Sequence, residues 1–326
     1  MGSKGLIIVY RGTDSRVRFF DLAFEPVEET VVVVIEPEPT VPPPDALLAF
    51  VSDRDGRASF PPNRHIHVIR MDGTGRVNLT RSHPRLNPFY EDGAPVWSPD
   101  NAKIAYHSTT RDPLASRGSF GIFAMNADGS NPVNLTQGRS NSDDRWPTWS
   151  PDGQRIAFVS HPLLIPIPTP NPGDIFTMNA DGSRVTNLTE TEQLDEAGPV
   201  WSPDGERIAF YRLPTRDIFL MSPDGSEVDS LSQVSGIRGI PSWSPDGDSI
   251  AVLSGTNIYI MDDEGGGVRL IPTAPAGGRP TWSPDSRWIA FQVRLTRGPI
   301  EVLNLRLPET RSLVVQDGWE PDWASD

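Results

Sequence analysis

Cysteine is absent from all 326 residues. That excludes disulfides, thiol nucleophiles and thiolate metal sites, and leaves the compartment open. No apolar run approaches the ~18 residues that would carry a helix across a bilayer. Positive charge is in deficit: 29 Lys and Arg stand against 43 Asp and Glu, a formal net charge of −14. A surface of that sign repels phosphate backbones and anionic lipid, so neither nucleic acid nor a membrane surface is an expected partner. The chain has no Gly-x-Ser-x-Gly nucleophile elbow, no phosphate-binding Gly-rich loop and no His-Glu-x-x-His zinc motif. Hydrophobic residues make up 37%, too few for one deep core. What the chain has in quantity is turn residues, 28 Gly and 34 Pro, so its elements are short and often interrupted.

Those turns recur at fixed intervals. The hexapeptide Pro-x-Trp-Ser-Pro-Asp occurs at residues 95–100, 147–152, 199–204, 241–246 and 280–285, and a degenerate copy, Pro-Asp-Trp-Ala-Ser-Asp, fills 321–326. Seven residues beyond each of the first five tryptophans stands Ile104, Ile156, Ile208, Ile250 or Ile289, followed by Ala and then Tyr, Phe or Val. Leu48-Ala49-Phe50 is a sixth copy of this second anchor, with no tryptophan before it. A third anchor, Ile-Phe-x-Met-Asn-Ala-Asp-Gly, begins at Ile122 and Ile175, with looser copies from Ile66, Ile218, Ile258 and Ile300. A fourth reads Asn-Leu-Thr at 78–80, 134–136 and 187–189, with looser copies at 228–232, 268–271 and 313–315.

Four short strands repeated six times specify a propeller. The expected fold is all-β: six four-stranded antiparallel blades, with the C-terminal strand pairing onto the first blade to close the ring and remove its open edge. Ser-Pro-Asp-Gly and Asp-Gly supply tight hairpins, in which Pro presets φ and Gly takes φ > 0. Asn101 and Ser286 replace that Gly in two copies. The fixed spacing of the tryptophans points to packing between blades rather than to sugar stacking.

These motifs together, Pro-x-Trp-Ser-Pro-Asp-Gly-x-x-Ile-Ala-Phe, then Ile-Phe-x-Met-Asn-Ala-Asp-Gly-Ser, then Asn-Leu-Thr, resemble the WD40-like Pro-Asp repeats of TolB-type propellers. The resemblance runs from about residue 47 to the end, and Ser52-Asp53-Arg54-Asp55-Gly56 is similar to a loop of that family. It implies a six-bladed ring, a protein or peptide partner, and an extracytoplasmic, periplasmic or secreted location in bacteria. Similar propellers also serve as accessory domains of peptidases and as polysaccharide lyases. Hence carbohydrate binding, metal-assisted carbohydrate cleavage, and service as an accessory domain of a larger envelope protein or peptidase stand as alternatives. The apolar run at residues 6–10 is too short for a signal-peptide core, and an export signal is expected to have been removed ahead of Met-Gly-Ser. The chain is read as a monomer.

Tight turns gather on one face of such a ring, and the variable loops on the other are where function is expected. Those loops are long in blades one to three and short in four to six. Two are candidates for partner binding. The apolar, Pro-rich loop contains Leu163, Leu164, Ile165 and Ile167, and folding back over its own blade is the alternative role for it. The crossover near residues 81–90 carries Phe89 and Tyr90. Residues just ahead of each Pro-x-Trp should ring the funnel mouth. Among them Arg145, Trp146, Arg279, Trp319 and Glu320 suit an anionic peptide terminus or a sugar, unless the arginines are consumed by Asp143, Asp144 or Glu320.

No catalytic residue is expected. His65 and His67, two apart on a strand, share a face and could meet a metal with His83 or His107; the alternative is that the histidines face solvent at the rim. The Asp-Gly turns are too short for a twelve-residue calcium loop, leaving room for no more than a weak structural Ca²⁺ site and no other cofactor. Residues 1–45 form a separate N-terminal segment, with strands expected at 6–10, 17–24 and 28–35 and a stiff Pro-rich linker before the propeller at 46–326.

Overall fold

The computed structural model describes residues 5–11, 17–19, 30–35, 42–43, 46–53, 64–81, 91–109, 119–139, 142–163, 172–191, 193–213, 217–231, 241–273, 275–293, 298–307 and 311–325. Two compact units result, residues 1–41 and 42–326. In the first unit, strands Gly5–Arg11, Val17–Phe19 and Thr30–Ile35 form one three-stranded sheet. The first runs antiparallel to the second and parallel to the third. The third begins two residues later than the expected position 28, past a pair of glutamates.

The second unit is a six-bladed β-propeller. Blade one consists of Trp319–Trp323, Leu47–Ser52, His65–Arg70 and Val77–Asn78, from the axis outward. Asp322 lies opposite Ala49, and Trp323 opposite Leu48, so the last strand of the chain closes the ring on the first. The other five sheets are consecutive, with inner strands Asp92–Trp97, Ser142–Trp149, Asp195–Trp201, Ser242–Trp243 and Ala276–Trp282.

The hydrophobic interior is divided into six clusters, one in each gap between blades. Trp97 packs with Ala49 and Ile66 of the preceding blade, Trp149 with Ala105 and Ile122, and Trp201 with Ala157 and Ile175. Trp243, Trp282 and Trp323 repeat the arrangement around the ring. Removing one such tryptophan to Ala costs about 3–5 kcal/mol. The low hydrophobic fraction follows, since thin blades share six small interiors.

Each motif has a bonding role. Ser98 Oγ donates to Asp100 Oδ1 at 2.6 Å while accepting the Lys103 N–H at 2.9 Å, and the other Ser-Pro-Asp turns repeat it. Asn101 and Ser286 take φ of 55° and 56°, as glycine does in the other copies. In Asn-Leu-Thr, the Thr136 hydroxyl oxygen accepts the Ile122 N–H at 3.0 Å, and Thr80 and Thr189 do the same in their blades. In blades two to four the glycine of the Asp-Gly turn lies against the leucine of the preceding blade's Asn-Leu-Thr: a Cβ on Gly182 would collide with the Leu135 carbonyl. Two motifs far apart in sequence are thus one inter-blade contact.

Candidate functional site

The inner strands do not run straight to the funnel mouth. In five blades the ladder slips by a bulge just before the Pro-x-Trp motif, between Gly93 and Val96, Arg145 and Thr148, Ala197 and Val200, Gly277 and Thr281, and Trp319 and Asp322. A left-handed residue turns the chain there: Ala94 (φ 45°), Trp146 (54°), Gly198 (61°), Gly278 (72°) and Glu320 (51°). Such a conformation costs a residue with a Cβ about 1–2 kcal/mol. Bulges of this kind re-aim the side chains beside them.

Around this mouth the charges are interlocked. Arg145 lies in a 3.0 Å ion pair with Asp143, and its guanidinium caps the Phe120 ring at 4.0 Å. Arg64 pairs with Glu91 at 3.6 Å and lies 5.5 Å over the Trp319 ring. Glu320 accepts the Ala94 N–H at 2.7 Å. Burial raises the Glu320 carboxyl above its ordinary value, against that N–H and the charges of Arg64, Arg279 and Arg145. One step deeper, Asp322 accepts the Trp97 N–H at 3.0 Å and bonds the Thr281 hydroxyl at 3.4 Å. Burial carries its pKa up to about 6, opposed chiefly by Arg279. His107 is buried edge-on against Phe120 and held down to about 3, by burial first and then by Arg145 and Arg64.

The five funnel residues read from the sequence therefore lie in described inner strands. Arg145 and Arg279 both act electrostatically on Glu320. Trp146 and Trp319 are half-buried, unlike the tryptophans of the repeat, which are 4–7% exposed. Arg145 is consumed by Asp143, as the alternative reading had it, whereas Asp144 goes to Arg139 at 3.4 Å. Leu163 is exposed at the end of the strand Arg155–Pro162. Leu164, Ile165, Ile167, Phe89 and Tyr90 lie outside the described residues.

The rim-facing reading of the histidines is corrected. His65 and His67 are 0% and 1% exposed, because they sit inside the sheet: His65 Nδ1 meets the Thr80 hydroxyl at 3.3 Å, and His67 accepts Arg76 Nε at 3.3 Å while stacking on Phe50. The Nδ1 atom of each has a bonding role already. Among the described residues no group of three His, Asp or Glu is placed to hold a metal.

Sequence reasoning missed Arg64 and Asp322 at the mouth, took His107 only as a possible metal ligand, and did not see that Asp92, Asp144 and Glu196 form a row of buried acids at the start of three inner strands. A signal existed for the acids. The doublets Glu91-Asp92, Asp143-Asp144 and Asp195-Glu196 stand at one spacing ahead of Pro-x-Trp. Glu196 is buried against Arg212 at 3.0 Å and Thr191 Oγ1 at 2.7 Å, and burial raises its pKa. These pairs fix the mouth's walls.

Comparison with known proteins decides the family. A profile described as the TolB beta propeller domain matches residues 164–324. An uncharacterized protein of Agrobacterium fabrum is 31% identical over 224 residues, which cover 64% of this chain and 67% of that protein. The chain belongs to the TolB β-propeller family. An uncharacterized peptidase of Bacillus subtilis, YuxL, is 26% identical over 208 residues, 62% of this chain. The chain spans only 29% of that peptidase's length. Among solved structures, TolB from Acinetobacter baumannii superposes with a TM-score of 0.67 at 19% identity, over 88% of this chain and 68% of that one. An oligogalacturonate lyase from Vibrio parahaemolyticus superposes with a TM-score of 0.53 at 14% identity, over 82% and 74%. The structural likenesses share the fold. At a coarse level the TolB family supports a scaffold that binds protein. Among the described residues, no helix is long and apolar enough to cross a membrane.

Proposed function

We propose that this propeller is a non-enzymatic scaffold that binds a protein or peptide partner at the funnel mouth, with the loop that begins at Leu163 as a second contact. The observation that carries the reading is Trp146. It is held at a φ of 54° where Gly198 does the same backbone work in the next blade. Partly exposed, it makes no ring contact among the described residues. Residues kept in a strained conformation cluster at ligand sites, where the strain is retained for what the side chain does. Trp146 and Trp319 supply rigid aromatic surface, and Arg279 supplies charge, the side-chain types that dominate binding hot spots.

The test is affinity capture from the envelope and soluble fractions of the source cells. Baits are the intact chain, a deletion of residues 163–171, and a funnel double variant, W146G with R279Q. A partner retained by the intact chain and lost by the funnel variant supports the reading. Equal capture by all three baits overturns it.

One observation favours a second reading. Asp322, raised by burial to a pKa of about 6 beside Arg279, has the basicity of a group that would take a proton from an acidic sugar. Release of unsaturated product from acidic oligosaccharides, dependent on an added divalent cation, would establish it. A role as accessory domain within a longer chain, as in a peptidase, is supported by the small share of the Bacillus relative that this chain covers. It is tested by reading the gene on either side of this segment.

A further inference from the structure

Arg279 and Glu320 occupy equivalent places in neighbouring inner strands, each one residue before its proline, and Thr281 and Asp322 are equivalent one residue past it. At that deeper level the other copies carry Val96, Thr148, Val200, Ser242 and Thr281. Asp322 is the one charged residue of the six. Its two oxygens are bonded to the Trp97 N–H of blade two and the Thr281 hydroxyl of blade six, so the carboxylate is fixed between two blades just beneath Arg279. Arg279 is half-buried, and its Nε, which is buried, has no hydrogen-bond partner among the described residues. Two charges act on it, Asp322 first and Glu320 second. Glu320 is shared: it also takes the Ala94 N–H and faces Arg64 and Arg145. Asp322 is therefore the stronger of the two carboxylates that act on Arg279, and neither is in direct ion-pair contact with it.

We propose that Arg279 is an anion-binding site at the funnel mouth with Asp322 as its built-in competitor, so that an external oxyanion, a carboxylate group above all, binds with uptake of one proton. This rests on the reading of the funnel as a ligand-binding mouth and adds the ligand's charge and its control. A desolvated arginine with an open donor needs an anion, and an ionised Asp322 meets that need from below. Protonating Asp322 removes the competing charge and leaves Arg279 with a full positive charge facing the mouth. The closing strand need not move, because a neutral carboxyl still accepts the Trp97 N–H through its carbonyl oxygen.

The surroundings of Asp322 permit this. The blade-six strand Ala276–Trp282 presents Arg279 and Thr281. The blade-two strand Asp92–Trp97 presents the Trp97 N–H and, at its start, the buried Asp92. Its own strand presents Glu320. The strand Leu47–Ser52, with which it pairs, carries no charged residue, and Trp288–Val293 carries the neutral, buried Gln292. Burial places Asp322 near pH 6, where a modest acidification protonates it.

Sulfate is the probe, because it does not titrate between pH 8 and 5. Binding is measured by calorimetry at constant ionic strength, in two buffers of different ionisation enthalpy so that protons are counted. The intact chain should bind sulfate up to about tenfold more tightly per pH unit from pH 8 toward 6, then level off, with close to one proton taken up at pH 8. D322N should bind at pH 8 as the intact chain does at pH 5, with no slope. R279Q should not bind, and R279K should bind weakly with the slope retained; thermal melts of each variant confirm that the ring is intact. A pH-independent affinity in the intact chain, an unchanged slope in D322N, or full binding by R279Q overturns the proposal. No sulfate binding together with funnel-dependent capture of a partner sinks the anion site and leaves the scaffold standing. Proton-linked sulfate binding without funnel-dependent capture does the reverse.

Discussion

The carboxylate of Asp322 accepts the backbone N–H of Trp97 at 3.0 Å, across 225 positions of chain. It is the middle one of three such contacts. Above it Glu320 takes the Ala94 N–H at 2.7 Å, and below it Asn101 and Ser325 exchange bonds of 2.8 and 2.6 Å. The closing strand is stitched to blade two at three heights, in addition to its ladder with Leu47–Ser52. Two of the three stitches are carboxylates that burial makes reluctant to ionise, and this couples ring closure to pH.

For Asp322 the sign is set by a folded pKa of about 6 against an ordinary value of 3.8. The folded state holds this proton more tightly, so the group's contribution to stability rises as pH falls through 6 and is complete below 3.8. Above pH 6 the ionised form costs on the order of 3 kcal/mol. D322N keeps an oxygen acceptor for Trp97 and lacks this slope. Thermal melts should find D322N the more stable protein at pH 8, with the gap closed by pH 4.

His107 acts in the opposite sense. Its folded pKa of about 3 lies below the ordinary 6.5, so stability is full above pH 6.5 and is lost as pH falls toward 3. At pH 4 the loss is roughly 3 kcal/mol. Melting H107Q between pH 7 and 4 should show a smaller loss of stability than in the intact chain. Between pH 6 and 4 the two groups oppose each other, so each single variant exposes the slope that the other had hidden.

Gly182 tests the inter-blade contact. Its φ is 86°, and a Cβ would strike the Leu135 carbonyl. Gly247 has a φ of 83° with nothing within 4 Å. G247A should therefore cost only the left-handed strain, about 1–2 kcal/mol, and G182A about 1–3 kcal/mol more, read from denaturant midpoints.

At the mouth, strain should be separable from function. A94G and W146G relieve left-handed backbone, so each variant should unfold at or above the denaturant midpoint of the intact chain, by up to about 1 kcal/mol. G93A, one residue earlier, should be destabilised, because a Cβ there would meet the His107 imidazole.

The ring, its blades and its closure were legible because each repeated residue has one structural task at one spacing. The tryptophans fill the gaps between blades, the Ser-Pro-Asp serines close hairpins, and the Asn-Leu-Thr threonines cap third strands. The site was less legible because it is built where repeats differ. Arg145 and Trp146 could be placed by counting back from Pro147. Nothing in local pattern marks Arg64, which stands just ahead of the strand His65–Arg70, or tells that Asp143 claims Arg145 while Asp144 turns to Arg139. Asp322 was visible as a departure from Val, Thr or Ser, yet its meaning depends on Arg279 and Trp97, contributed by two other blades.

The central claim is that the funnel mouth at Trp146 is the binding surface. The most direct test is a photo-crosslinking residue placed at position 146, with a control at position 224 in an exposed turn of the opposite face. Crosslinking in source-cell extract should trap a defined partner from 146 and none from 224. Trapping from 224 alone, or equally from both, would contradict the account.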